Sequence, residues 1–375
     1  MNLKLINHIY SILFLYVFIL PNTIYNIIEI KYSFTLLLTL ITLLFIFIQK
    51  IGVHSASKAP VFFSASMIIL GLLVWLYKQG VGQNAVLFVP FFSYFGYQFL
   101  RKFTIDLRWF NVVFICLFGY YYSIYFSKLP NLFFRPGFDE DAIVFERASS
   151  NGIAVALNIT LYAYIILEYY FKQNRHRDIL IISLFNVGLC FIQQSRSGII
   201  CSLLLLLIIL FTSHRKWFKT VIWFLILFFL SSYILLKENN LLTLFFELGI
   251  DSSSYTEDSR SRSAISFFKL VLENDFFWGP PLGTKFASVG YTYNVFLDFW
   301  NSYSFLGFII LISIIVNRIY NWKKYYFPIY YFAPFFLYSM VESFFFPGYW
   351  DVIIYLLLFV KKPLNIQPTK LVRNV

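Results

Sequence analysis

Charge is scarce in this 375-residue chain, where Asp, Glu, Lys and Arg together make up 13% of the residues. Soluble domains carry about 25% charged residues. Hydrophobic residues reach 59% here, and the mean hydropathy is +0.72. The composition therefore excludes an ordinary soluble globular protein and indicates a chain that is largely embedded in lipid.

Cysteine is also rare, with three residues in the whole chain: Cys116, Cys190 and Cys201. Each of them lies inside an apolar run. None can cross-link an exposed loop, so a fold that depends on a disulfide framework is excluded.

Sequence motifs typical of soluble enzymes are missing as well. The four histidines show no metal-ligand spacing, and the chain has no nucleophile elbow and no nucleotide-binding loop. We therefore expect no metal and no other cofactor. The net charge of +12 would suit nucleic acid, but Lys and Arg fall in short segments between apolar runs, where they set membrane topology. We expect no nucleic-acid partner.

Long apolar runs are what the chain has in abundance. A spanning helix needs ~20 apolar residues, and open sheets cannot satisfy their backbone groups in lipid. The sequence predicts an all-α, polytopic integral membrane protein, with residues 1–375 as one transmembrane domain. About twelve spans are expected, near residues 5–28, 33–49, 60–77, 83–100, 109–126, 149–171, 179–194, 198–212, 219–236, 294–316, 328–346 and 349–360.

The signs of the charges between these runs alternate along the chain. If both termini are cytoplasmic, nearly all Lys and Arg of the short loops lie inside and nearly all carboxylates lie outside. This places two loops on the periplasmic face, residues 127–150 and 237–292, and a cytoplasmic tail at 361–375. The short turn at 193–198 falls on the same outer face as the two loops.

Arg196 is the most informative residue on that predicted outer face. It lies between two apolar runs and is flanked by Ser195, Ser197 and Gly198. An ionised residue near membrane depth is costly and is retained mainly for a function. The alternative is an arginine that reaches out to lipid phosphate at the interface.

Arg260 and Arg262 open a predicted amphipathic helix in the large loop. Ala264, Ile265, Phe267, Phe268, Val271 and Leu272 follow at helical spacing. Cations are unfavourable in a first turn, but a bound anion would reverse that effect. The alternative is pairing with Glu257 and Asp258. The Gly- and Pro-rich segment 278–283 (WGPPLG) is better explained as a structural turn than as a phosphate loop.

Carboxylates near the predicted outer ends of helices are candidates for a general base. Asp298 and Glu342 lie in or near apolar spans, and Glu257 precedes the amphipathic helix. The alternative is a hydrogen-bonded strut between helices. Arg147 could supply another outer cation, or it could form a salt bridge to the acidic run at 139–141.

Several short motifs occur in a fixed order: QSRSG at 194–198, a loop with Arg262, Gly279 and Gly283, YNVFL at 293–297 and LG at 306–307, with ERASSNG at 146–152 upstream. Together they resemble the superfamily of O-antigen polymerases and O-antigen ligases. The resemblance covers roughly residues 135–345. It implies a fold like that of GT-C-type membrane glycosyltransferases.

The resemblance also implies a substrate and an activity. Members handle polyprenyl-diphosphate-linked oligosaccharides on the periplasmic face of the bacterial inner membrane, in lipopolysaccharide or capsule synthesis, and a chain-length regulator is a possible partner. Arg196 would contact the diphosphate, and Arg262, with Arg260, would match the loop arginine. Tyr293-Asn294 stands where ligases have His-Asn, which favours a polymerase and leaves the base unassigned.

Two alternatives remain open at the level of the sequence. A ligase would transfer finished glycan to the lipid A core. A flippase would move lipid-linked oligosaccharide without catalysis, but it needs no long outer loop and should place charges through a central cavity. The large loop therefore favours an enzyme over a flippase.

Overall fold

The computed structural model describes residues 3–19, 58–78, 85–134, 150–192, 196–213, 259–273, 275–280, 294–341 and 351–361. These residues form helices and turns and contain no strand, which confirms the all-α prediction for the part of the chain described. The helices are α1 Leu3–Phe14, α2 Lys58–Tyr77, α3 Ala85–Lys102, α4 Arg108–Phe134, α5 Ser150–Phe171, α6 His176–Ile192, α7 Arg196–Ser213, α8 Ser259–Glu273, α9 Val295–Tyr320, α10 Phe332–Val341 and α11 Asp351–Phe359.

Three of these helices are long and apolar enough to cross a membrane: α2, residues Ile153–Phe171 of α5, and α9. Shorter apolar helices cover Asn7–Phe18, which includes a π-helical continuation of α1, and Ser197–Ser213. These lengths support a membrane protein. The expected total of twelve spans and the orientation of the chain remain predictions.

Helix α5 is the centre of the bundle. Its segment Ile153–Phe171 is 94% buried within the protein, whereas the corresponding segment of α2 is 39% buried. A helix that is apolar all round is expected to be enclosed by other helices, and α5 packs against α6 and α7. The outer helices therefore leave apolar side chains exposed at the periphery, as contact with lipid requires.

Close packing between α3 and α11 depends on Gly96. A Cβ atom added there would lie 2.6 Å from Val352 Cγ2 and 2.8 Å from the ring of Phe18. Glycine is therefore the residue that lets α3 approach both α11 and the π-helical turn Leu15–Ile19.

Arg318, near the end of α9, is 1% exposed. Its Nε donates to the Leu357 carbonyl at 3.0 Å, its Nη2 donates to the Phe327 carbonyl, and its guanidinium lies over the rings of Tyr325 and Phe332. Leu357 is in the last turn of α11, where a helix presents free carbonyls and partial negative charge. Arg318 thus joins the end of α9 to the end of α11.

One end of the bundle brings α1 together with two turns between helices. The Ser11 hydroxyl accepts the Asp106 N–H at 2.6 Å, and Gln173 bonds both Ile105 and Leu107. These bonds connect α1, the α3–α4 turn and the α5–α6 turn. The compartment that this end faces stays a prediction.

Two helix bounds differ from the sequence expectation. Helix α4 continues to Phe134, past the predicted end near 126. The predicted span 328–346 begins as a 3₁₀ turn at Ile329–Tyr331, after Pro328, before α10 starts. Proline fixes φ and cannot donate a backbone hydrogen bond, which suits the start of such a turn.

Candidate functional site

Helix α7 begins at Arg196, and its first turn is fixed by a buried amide on α5. Asn158 is fully buried, and its Nδ2 donates to the Gly198 carbonyl at 3.0 Å and to the Tyr338 hydroxyl at 2.6 Å. Its Oδ1 accepts from Asn186 Nδ2 at 2.6 Å. These residues form the Asn158 cluster, which joins α5, α6, α7 and α10.

The cluster explains why polar side chains sit in the middle of an apolar bundle. A buried amide is costly unless its donor and acceptor atoms are hydrogen-bonded, and both ends of the Asn158 amide are bonded. Each bond reaches a different helix, so together the three bonds fix the position of the first turn of α7 along the bundle axis. The position of Arg196 at the beginning of α7 follows from this arrangement.

Asn294 has a capping role at the start of α9. Its Oδ1 accepts the backbone N–H groups of Phe296 at 3.0 Å and Leu297 at 3.3 Å, with an extended backbone at the cap. These bonds satisfy N–H groups that a helix start leaves without partners. Its Nδ2 lies 3.9 Å from Met340 Sδ in α10.

Helix α10 therefore links the two sequence motifs. Tyr338 of α10 belongs to the Asn158 cluster at the start of α7. Met340 of α10 contacts Asn294, which caps α9. Tyr338 and Met340 are two positions apart near the end of α10. The motifs at Arg196 and Asn294, far apart in sequence, are tied to the same short stretch of one helix.

Asp298 lies in the first turn of α9, and its backbone N–H donates to the Asn294 carbonyl at 3.0 Å. The residue is half-buried. A carboxylate in a first turn is stabilised by the positive end of the helix dipole. This places a candidate base one turn from the capping asparagine.

The predicted amphipathic helix is present as α8 and packs on α9. Phe267 and Val271 are buried against Leu297 and Trp300, and the rings of Phe267 and Trp300 lie 5.7 Å apart. Leu297 and Trp300 flank Asp298 in sequence. The contact therefore holds the arginine-bearing helix against the part of α9 that carries the candidate base.

A break in α9 receives the turn formed by residues 275–280. Tyr303 and Ser304 leave helical geometry, with Ser304 at φ 66 and ψ 171. The Phe305 N–H, which would bond Asn301 in an unbroken helix, donates to the Phe277 carbonyl at 2.9 Å. Trp300 Nε1 donates to the Phe276 carbonyl at 3.1 Å.

Lys78 occupies the position that this break leaves open. Its Nζ donates to the Asn301 carbonyl at 3.0 Å and to Asn301 Oδ1 at 2.8 Å. The neighbouring Tyr77 hydroxyl donates to Asp275 Oδ2 at 2.6 Å, and the rings of Tyr77 and Trp278 stack at 5.0 Å. These five residues form the Lys78 cluster, which joins the end of α2 to α9.

Electrostatics in the Lys78 cluster are shaped by burial and by Asp275. Burial lowers the pKa of the Lys78 ammonium to about 8, and the charge of Asp275 acts in the opposite direction. The hydrogen bond from Tyr77 holds the pKa of the Asp275 carboxyl below its ordinary value. The cluster thus contains a carboxylate and a lysine that titrates close to neutral pH.

Residues 278–280 of the segment predicted as a structural turn belong to this turn, and residues 281–283 lie outside the described part of the chain. Gly279 has φ 77, a left-handed conformation that glycine adopts without steric cost. Asp275 Oδ1 accepts the N–H groups of Phe277 and Trp278 at 3.0 and 3.2 Å. The turn is therefore closed by its own side chain and docked in the break of α9.

The remaining predicted site residues are placed only in part. Arg196, Arg260 and Arg262 have defined positions in the first turns of α7 and α8. Glu257, Glu342, Arg147 and Tyr293 lie outside the described residues. Within the described ranges, no group of three or more His, Cys, Asp and Glu side chains is arranged to hold a metal ion.

Sequence reasoning missed Asn158 and Lys78. An amide in the middle of an apolar run was a usable signal, because burying it requires partners. The pairing of Lys78 with Asn301 had no local signal, since the two residues are far apart in the chain.

No family model matches the chain, and no curated protein or solved structure matches it either.

Proposed function

We propose that this chain is a membrane glycosyltransferase that polymerises polyprenyl-diphosphate-linked oligosaccharide repeat units into O-antigen or capsular polysaccharide. The reaction would take place on the periplasmic face of a bacterial inner membrane. The observation that carries the proposal is the link through α10 between the start of α7 at Arg196 and the start of α9 at Asn294. These are two of the motifs on which the resemblance to O-antigen polymerases depends.

The N-terminal ends of helices and the side chains of arginines both favour binding of a diphosphate. The start of a helix has free N–H groups and partial positive charge, so it favours anions. Guanidinium groups bind phosphate oxygens in a bidentate manner. With Arg196 in the first turn of α7, and Arg260 and Arg262 in that of α8, the chain has two such starts for one lipid headgroup.

The reaction needs no nucleotide, because the sugar diphosphate is already activated. A hydroxyl oxygen of the acceptor unit attacks the anomeric carbon of the donor sugar, and the bond from that carbon to the diphosphate oxygen breaks. The hydroxyl proton passes to a carboxylate, and polyprenyl diphosphate leaves. A single displacement would invert the anomeric configuration.

Cations near the leaving diphosphate would stabilise the charge that develops on it. Asp298 is the candidate base with a described position, in the first turn of α9 beside the contact with α8. Glu342 follows α10 directly in sequence, and Glu257 precedes α8 by two residues. All three carboxylates are candidates for the base, and Glu342 and Glu257 lie outside the described residues.

A deletion strain tests the activity and separates it from its alternatives. Loss of a polymerase leaves single repeat units on surface lipopolysaccharide. Loss of a ligase leaves bare core with long polymer on its lipid carrier, and loss of a flippase strands single units on the inner leaflet. The proposal requires the first pattern, or absent capsule polymer in a capsule system.

Complementation of that strain tests the arginines. Arg196→Ala and Arg262→Ala should lower polymer formation by at least about a hundredfold, as expected for lost stabilisation of a developing anion. The matched control is Arg177→Ala, an exposed arginine in the first turn of α6 at the other end of the bundle. Full activity of Arg196→Ala at normal protein level would refute the proposed site.

A further inference from the structure

Helix α8 has a second apolar face, beside the one that packs on α9. Phe267 and Val271 are buried against α9. Ile265, Phe268 and Leu272, by contrast, are 67%, 47% and 76% exposed. These three side chains are spaced three and four residues apart, so they lie in one row along the helix. We call them the exposed row of α8.

The exposed row lies between the buried face and a charged edge. Phe268 precedes Val271 by three residues and so adjoins the buried face. On the other side, Lys269 follows Ile265 by four residues, and its Nζ lies 3.9 Å from Glu273 Oε1, with both side chains exposed. Buried apolar, exposed apolar and charged surfaces thus follow one another around α8. This order is typical of a helix that lies where protein, hydrocarbon and water meet.

Two contacts place α8 at the ends of membrane spans. Its buried face packs on Leu297 and Trp300, in the first two turns of α9. The turn 275–280, which follows α8, is bonded through Asp275 to the hydroxyl of Tyr77, the last residue of α2. Both α2 and α9 are long and apolar enough to cross a membrane. Helix α8 therefore lies level with the point where two spans leave the hydrocarbon.

The surface next to α8 has the same apolar character. Phe276 and Phe277 of the turn are exposed, and so are Ile69, Leu73 and Leu76, which form one row on α2. Lipid covers the exposed apolar side chains of a spanning helix, and aromatic residues are enriched where such a helix reaches the headgroups. The bilayer that surrounds α2 is therefore the apolar phase available to the exposed row of α8.

We infer that α8 lies in the membrane interface, with its exposed row inserted among the lipid acyl chains and its charged edge toward water. Interfacial helices bury their apolar face about 5–10 Å into the boundary between headgroups and acyl chains. The partner is the lipid bilayer itself. This inference goes beyond the proposed reaction and does not require it.

The test uses the full chain, without its native cysteines, in lipid nanodiscs that hold one copy and leave both membrane faces open to water. A small fluorophore is attached at Ile265→Cys, Phe268→Cys, Leu272→Cys, Lys269→Cys or Glu273→Cys. Labels in the exposed row should lose fluorescence when the acyl chains are brominated. Labels at the charged edge should keep it, and should instead be quenched by iodide in the water.

Two further positions calibrate the quenchers. Ile69→Cys, exposed on α2, reports contact with acyl chains, and Arg177→Cys, exposed at the start of α6, reports contact with water. Iodide quenching of the exposed row equal to that at Arg177→Cys would overturn the inference. Protection of the row from both quenchers would also overturn it, because another segment of the chain would then cover the row.

A charge placed in the row provides the second arm. In the protein labelled at Leu272→Cys, Phe268→Glu should abolish quenching by brominated lipid, because a carboxylate is costly among acyl chains. Ser266→Glu is the matched control, since it adds the same charge on the opposite side of the helix, and it should leave the quenching unchanged. Equal quenching in the two variants would contradict the inference. Neither arm depends on polymer formation, so a failure of the proposed activity leaves this test intact.

Discussion

At the scale of single residues, the side chain of Asn158 determines where α7 starts. It bonds the Gly198 carbonyl, the Tyr338 hydroxyl and the Asn186 amide. Its contacts are made inside the bundle, and Arg196 is placed as a consequence. A positioning role of this kind can be separated from binding by measuring stability and activity together.

Replacement of Asn158 by alanine should lower both the stability of the protein and its polymerase activity. Three hydrogen-bonding groups would lose their partner, at about 1–3 kcal/mol for each buried group left unsatisfied. The thermal unfolding midpoint in detergent should fall, with polymer formation. Asn317→Ala, an exposed asparagine on α9, should leave both nearly unchanged, and an equally stable Asn158→Ala would contradict the role given to the cluster.

Lys78 predicts a dependence of stability on pH. Its pKa is about 8 in the folded protein and about 10.4 in an unfolded chain. Between these values the unfolded chain binds more protons, so the contribution of Lys78 to stability rises with pH from about 8 to 10.4. Below pH 8 both states are protonated and the contribution is constant.

The measurement compares wild type with Lys78→Met at pH 7, 8, 9 and 10. The difference in unfolding midpoint, wild type minus variant, should stay level up to pH 8 and then increase. A difference that stays level or falls as pH rises above 8 would show that the folded protein does not lower the pKa of this lysine.

At the scale of elements, the break in α9 is the feature that joins most of the polar groups. At the break, the Phe305 N–H donates to Phe277 of the turn 275–280. The Asn301 carbonyl is then free to accept from Lys78. Ser304, at φ 66 and ψ 171, adopts a conformation that is essentially restricted to glycine and costs about 1–3 kcal/mol in other residues. Such strain is commonly kept at functional sites.

Ser304→Gly should relieve this strain and raise the unfolding midpoint. The gain is reduced by up to about 1 kcal/mol because glycine loses more backbone freedom on folding. Ser304→Ala has the same backbone restriction as serine and serves as the control, with no such gain. A lower midpoint for Ser304→Gly than for Ser304→Ala would contradict the strained geometry.

Two glycines on neighbouring helices should respond in opposite directions to alanine. At Gly96 the new Cβ would lie 2.6 Å from Val352 Cγ2, whereas at Gly119 no atom lies within 4 Å. Gly96→Ala should destabilise by about 1–3 kcal/mol through overpacking. Gly119→Ala should stabilise α4 by roughly 0.5–1 kcal/mol. Unfolding midpoints of the two variants provide the comparison, and equal responses would contradict the packing of α3 on α11.

The elements also show what the sequence could predict. Helical spacing predicts α8, and the structure confirms a helix there. Of the predicted apolar positions, Phe267 and Val271 are buried, whereas Ile265, Phe268 and Leu272 are exposed. The break in α9 was not predicted, since it depends on a turn and a lysine from distant parts of the chain. Arg318 falls between the predicted spans 294–316 and 328–346, where the sequence predicts a loop charge that sets topology. Its burial depends on the carbonyls of Leu357 and Phe327, which no local pattern reveals.

At the scale of the whole molecule, the proposal requires that the polar starts of α7 and α8 face the same compartment. Single cysteines at Ser195 and Ser253, in a background without the three native cysteines, should both react with a membrane-impermeant thiol reagent added outside the inner membrane. A cysteine at Arg177 should react only after permeabilisation. Labelling of Ser195 and Ser253 from opposite sides would exclude a shared headgroup site.

The most direct measurement is polymerisation by the purified protein of a synthetic repeat unit on polyprenyl diphosphate, followed by gel separation of the products. The account predicts a ladder of products that differ by one repeat unit. The ladder should form with wild type and Arg177→Ala, and should be absent with Arg196→Ala. Unextended donor with folded wild-type protein, or an equal ladder with Arg196→Ala, would contradict it.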